Sequence, residues 1–122
     1  MAKKVRVSAM HWAAGGHAAV ESSKISQNDG VHQGKMIGFK ITISNCTNAI
    51  NVVLQIKDSD GDVIYTSAGQ AKGGTRIVMA LDVPLVEQEI VVLDPDGDPG
   101  ASGLDVTNIT LYYYPDTLVA IR

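Results

Sequence analysis

The chain has 122 residues, of which 45% are hydrophobic, 19% charged and 5% aromatic, a composition that suits one folded domain and excludes a disordered segment. A net charge of −3 excludes nucleic-acid binding by bulk electrostatics, and the lone Cys46 excludes an internal disulfide. No stretch approaches the ~20 apolar residues of a membrane helix.

With so few aromatics, the core falls to Val, Ile and Leu. The β-branched members are stiff and suit a pleated surface, which favours strands. The opening MAKKVRVSAMHW is basic and carries no apolar run of signal-peptide length. Synthesis in the cytoplasm, without conventional secretion, is expected. Lys4–Ala9 reads as a first strand with Val5, Val7 and Ala9 inward.

Residues 11–35 are rich in Gly, Ala, Ser, Asn and Gln and have no clear period. A loop this long in a small domain is uncommon unless it has a use. Two readings stand: an arm that reaches a partner, or a surface excursion with a short strand near Ala18–Ser22. Trp12, inside this segment, is a candidate interface anchor.

Period two then takes over. In Met36–Ser44, the residues Ile37, Phe39, Ile41 and Ile43 alternate with Gly38, Lys40, Thr42 and Ser44. In Ile50–Lys57, the inward set is Ile50, Val52, Leu54 and Ile56. Asp58-Ser59-Asp60-Gly61-Asp62 is a hairpin turn leading into a strand over Asp62–Ser67. Thr75–Asp82 sets Ile77, Met79 and Leu81 against Arg76, Val78, Ala80 and Asp82. Glu89–Leu93 is apolar on both faces, as in a strand covered on both sides. After the break at Asp94–Gly103, Thr107–Tyr114 puts Ile109, Leu111 and Tyr113 inward, and Leu118–Ile121 is a final edge strand. The whole is an all-β chain: a single-domain antiparallel β-sandwich or jelly roll spanning 1–122, with 11–35 as its irregular part. A closed barrel is the alternative.

Charge is uneven along the chain. Residues 1–76 hold nine Lys/Arg against five Asp/Glu, whereas 77–122 hold eight Asp/Glu and only Arg122. Either the strands interleave and disperse the asymmetry, or one basic and one acidic face pair copies head to tail.

The candidates for chemistry are few. Asp58, Asp60 and Asp62, and likewise Asp94, Asp96 and Asp98, offer the oxygen ligands that calcium prefers. The EF-hand spacing fails for both, so plain turns are the better reading, with calcium the weaker one. His11, His17 and His32 match no ligand spacing. Cys46 is followed by Thr-Asn-Ala-Ile-Asn, which excludes a blue-copper arrangement. No nucleophile elbow, phosphate loop or zinc helix occurs, so no enzymatic activity and no cofactor are expected. Tyr112 and Tyr114 fall on the face opposite Tyr113. They are either interface anchors or a cross-strand pair that stabilises the sheet.

The VRVSAM opening, the glycine-rich segment, the NVVLQIKDSDGDVIYTS hairpin and the TNITLYYYP strand together make the chain similar in layout to small capsid decoration, or cement, proteins of tailed bacteriophages. The resemblance implies a non-enzymatic virion protein on the outer capsid at symmetry axes, often a trimer. Its partners would be the major capsid protein and further copies of itself, with no nucleic acid and no membrane. The competing reading is a carbohydrate-binding or other adhesion module of a phage tail or cell surface, with Trp12, Tyr112 or Tyr114 as stacking platforms. A third is a small enzyme or metal-binding domain built on the Asp clusters.

Overall fold

The computed structural model describes residues 3–25, 34–85 and 88–115. Among the described residues ten strands follow one another: β1 (Lys3–Val7), β2 (Met10–Trp12), β3 (Val20–Glu21), β4 (Gly34–Ile43), β5 (Asn51–Lys57), β6 (Val63–Thr66), β7 (Gln70–Ala71), β8 (Gly74–Leu85), β9 (Ile90–Pro95) and β10 (Leu104–Pro115). In the first sheet the order is β1-β10-β4-β8, with β2 also on β10; in the second it is β3-β9-β5-β6, with β7 also on β5. Every pairing is antiparallel.

Taking β1/β2 and β6/β7 each as one interrupted strand leaves eight strand positions. The first pairs with the eighth, the second with the seventh, the third with the sixth and the fourth with the fifth. That is one long hairpin rolled up on itself, the jelly-roll form of the antiparallel β-sandwich. Two separate sheets face one another in place of a closed barrel.

The core lies between them. In β5 the strict alternation holds: Val52, Leu54 and Ile56 are fully buried. In β10, Ile109, Leu111 and Tyr113 are buried, as their spacing predicts. In β9, Val91 and Leu93 join the core, while Val92 is buried from the other side, so this strand is covered on both faces. Phe39 of β4 and Tyr65 of β6 meet across the sheets edge to face, with ring centroids 6.5 Å apart and planes at 63°. Partial burial raises the Tyr65 hydroxyl above its ordinary 10.0 by disfavouring the phenolate. The unfolded chain therefore ionises Tyr65 first. The stability that this residue contributes is complete below pH 10 and falls as pH rises toward its higher folded value. An ultraviolet phenolate titration of the wild type and Tyr65→Phe should differ by one late-titrating tyrosine.

Where alternation breaks, an extra residue has entered a strand. Met36 and Phe39 are both fully buried although three apart, because the β4–β8 register slips between Met36 and Gly38. Ile37, expected inside, is only half-buried. On β8 the slip surrounds Ala80, whose φ is +64°. Val78 packs against the core before it, and Leu81, Val83 and Leu85 turn inward after it. The expectation for Ile77 and Met79 is thus overturned: they are 60% and 48% exposed. A second slip, at Asn108 (φ +52°), brings Val106 and Ile109 to the same face. A bulge reverses the face of every residue beyond it.

The segment 11–35 is woven into the sheets over its described residues, 11–25 and 34–35. Trp12, in β2, is 4% exposed, and its indole N–H donates to Ala18 O at 2.6 Å. β3 lies on β9, and Ile25 is buried beside it. The chain steps from β1 to β2 at Ser8-Ala9, leaving Ala9 exposed where the sequence places it inside. Residues 26–33 and the expected strand at Leu118–Ile121 lie outside the described residues. Gly103 closes the turn into β10 with φ +69°, and a Cβ there would collide with Trp12 O. Gly103→Ala is expected to cost roughly 1–3 kcal/mol for the left-handed backbone alone, read as a lower melting temperature.

Candidate docking surface

The outer face of the first sheet is built by rows of residues that share register across its strands. Lys4, Tyr112, Gly38 and Met79 form one row; Arg6, Thr110, Lys40 and Ile77 form the next. Tyr114 lies opposite Lys35 at the end of β10. Among the described residues, four large hydrophobic side chains are well exposed: Val63, Ile77, Met79 and Tyr114. Three of them stand on this one face, with half-buried Tyr112 between them.

Gly38 makes the face flat at its centre. A Cβ on Gly38 would run into the Met79 sulfur and come within 2.5 Å of Val78 O. Glycine therefore lets the Met79 side chain lie across β4. Lys4, Lys35 and Lys40 frame the apolar stripe. Lys35 reaches Asp82 at 3.5 Å, and both side chains are more than half exposed, so the pair holds little and is easily exchanged for other contacts. An apolar stripe with a cationic rim is what a docking patch needs: burial for affinity, charge for orientation.

The sequence-derived candidates divide. Tyr112 and Tyr114 do lie on this exposed face. Trp12 does not: it is a core residue, because β2 pairs with β10 and turns the indole between the sheets. As an interface anchor or sugar platform it is therefore corrected. Ile77 and Met79 were missed, since they alternate with Arg76 and Asp82 as a core face would and the bulge at Ala80 leaves no mark in an alanine.

Asp58, Asp60 and Asp62 gather with carboxylate oxygens within 4.8 Å of one another. Asp58 Oδ1 accepts from the backbone N–H of Asp60 at 2.9 Å and of Asp62 at 3.0 Å, which ties the turn. Asp94, Asp96 and Asp98 do not converge. Asp96 accepts from Asn51 N–H and Asp98 from Gly100 N–H, again as turn ties. His11 meets Asp105 at 2.6 Å on the surface, and His17 Nδ1 lies 3.4 Å from Gly15 O in its own loop. His32 lies outside the described residues. Cys46 is buried, with its thiol directed at Asn48 O.

No family model matches the chain, and no curated protein matches it in sequence. Solved structures do match. A chain in the capsid asymmetric unit of cyanophage Pam1 superposes with a TM-score of 0.61 at 15% identity, over 94% of this chain and 85% of that one. A chain of the T13 particle of infectious bursal disease virus matches at 0.47 and 10% identity, over 93% of this chain and 30% of that one. A family two carbohydrate esterase from Cellvibrio japonicus matches at 0.45 and 9% identity, over 94% and 35%. The cyanophage match is aligned over nearly all of both chains, so the two share one fold from end to end: a jelly roll of a kind found in a phage capsid.

Proposed function

We propose that this chain is a structural, non-enzymatic virion protein that docks on the outside of a phage capsid as a decoration protein and stabilises the shell. The observation that carries the reading is the stripe of exposed Ile77, Met79 and Tyr114, with half-buried Tyr112 among them, in its lysine frame. Isolated surface hydrophobics are ordinary, but a contiguous set on a flat sheet face marks a binding surface. The similarity to a chain of comparable size in a cyanophage capsid supports the placement on a virion. The lysines favour an acidic shell surface, with the major capsid protein as partner.

The mechanism is burial of apolar area against the shell, oriented by charge. The test is co-sedimentation of the purified chain with genome-free, expanded capsids of the phage that encodes it. Saturable binding supports the reading, as does a capsid that then resists heat better. A chain that stays in the supernatant at micromolar concentration overturns it.

A further inference from the structure

Strand β8 departs from the alternation written in its own residues. Read straight through, Ile77, Met79, Leu81, Val83 and Leu85 fall on one side at every second position, and a strand that kept that order would turn all five inward. The fold buries Val83 and Leu85 and packs Leu81 against the core, but it leaves Ile77 and Met79 well exposed. In their place the inner side takes Val78, which packs partly on the core, and Arg76, which stands opposite buried Ile41. A charged residue is drawn inward and two large apolar ones are sent out, against their preferences for water. Ala80, the residue left over, sits at φ +64°, a backbone region that a side chain disfavours. β8 is also an edge strand, paired with β4 alone.

Hydrophobic alternation therefore does not hold residues 74–79 in this register. Two polar ties do, one on each side of the strand. On the inner side the Arg76 guanidinium donates through Nε to Ala71 O at 2.8 Å and through Nη2 to Lys72 O at 3.1 Å, binding β8 to the end of β7. On the outer side the Thr75 and Thr42 hydroxyls share a 2.9 Å hydrogen bond between β8 and β4, and Thr42 Oγ1 also accepts from Asn108 Nδ2 at 3.3 Å. A slip of one residue turns Arg76 out and Thr75 in, and breaks both ties. It also sets Met79 opposite Phe39 and Ile77 opposite Ile41, with both apolar side chains inside. Gly73, at φ +83°, and Gly74 lead into the strand and can absorb that shift.

We propose that Arg76 and Thr75 are positioning residues, which hold β8 out of its plain alternation and so present Ile77 and Met79 to a partner. Polar ties at the start of the strand set the docking stripe, and the Ala80 bulge takes up the residue that this placement leaves over. A local rule broken without gain to the core is what a functional surface shows. The use of the stripe rests on the docking reading above. Its placement is tested on the purified chain alone, so the two fail separately.

The experiment is the rate of maleimide labelling at a single introduced cysteine, Ile77→Cys or Val78→Cys, in a Cys46→Ser background that removes the native thiol. Circular dichroism and a thermal melt check folding. With both ties present, position 77 should label roughly tenfold or more faster than position 78. Thr75→Val/Arg76→Thr removes both ties and keeps β-branched residues in the strand. It should reverse the order, making 78 fast and 77 slow. Deleting Ala80 from that variant should bring the first order back, because Met79 then precedes Leu81 directly and plain alternation itself turns Ile77 and Met79 out. Fraying of the strand would speed both positions, so only opposite changes support the proposal. A folded Thr75→Val/Arg76→Thr variant that still labels fastest at 77, or that speeds at both, overturns it, as does a folded deletion variant that stays reversed. If the double variant does not fold, Arg76→Thr alone carries the test: 78 must speed up and 77 slow down, and any other result overturns the proposal. Reversed labelling with undiminished capsid binding upholds the ties and removes the stripe from the interface. Unreversed labelling overturns the ties and leaves the docking reading standing.

Discussion

Ile77→Asp/Met79→Asp is expected to weaken capsid binding by at least about a hundredfold while leaving the fold intact. Both side chains project from β8 on the outer face, 60% and 48% exposed, so neither holds the core together. Surface substitutions of this kind change stability by about ±0.5 kcal/mol each. Their effect on docking is of another size. A well-buried interface anchor is worth ~2 kcal/mol or more, and ~2.8 kcal/mol is a hundredfold in affinity. Placing carboxylates there also buries charge against the partner. Tyr114→Ala should act in the same direction, and Gln55→Asp, on the outer face of the other sheet, should have no effect. Quantitative co-sedimentation and a thermal melt of each variant decide the matter. Unchanged binding by a folded double variant would remove this face from the interface.

Phe39→Ala is expected to be the most damaging single core truncation, at about 3–5 kcal/mol. Phe39 is fully buried, pairs in register with Leu111 on one side and Val78 on the other, and meets Tyr65 across the sheets. It therefore joins both layers, and the surrounding aliphatic residues cannot collapse around the missing ring without moving a strand. Against a total stability of ~5–15 kcal/mol, the loss should lower the melting temperature by roughly 10–25 °C. Ile41→Val, a neighbour on the same face, should cost only about 0.5–1.5 kcal/mol. Calorimetry on the two variants tests the contrast. Equal shifts would mean that the sheets are held by burial alone, with no special weight on the Phe39–Tyr65 contact.

At the rim of the proposed docking face, substitutions should be tolerated by the fold. Lys35 and Asp82 are separated by 3.5 Å and largely in water, where such a pair contributes little. On the proposed docking reading they would orient a partner, an effect that should show in the salt dependence of binding before it shows in a melt.

Much of the architecture could be read from residue pattern alone. Val52, Leu54 and Ile56 in β5, and Ile109, Leu111 and Tyr113 in β10, follow the every-second-residue rule, because a strand's side chains must alternate between core and water. The Asp58–Asp62 turn was legible for the same local reason: aspartate and glycine tie a tight turn with their own backbone. Trp12 and Ile77/Met79 were not legible. Trp12 is drawn into the core by the pairing of β2 with β10, a contact between residues about 94 positions apart, as His11 and Asp105 show. Ile77 and Met79 are turned outward by a bulge at Ala80, and no local propensity encodes a bulge at an alanine. Sequence thus set which segments are extended and where they turn. The rolled hairpin set which face of each segment meets water, because a bulge trades alternation for register and only the neighbouring strands decide where that trade is made.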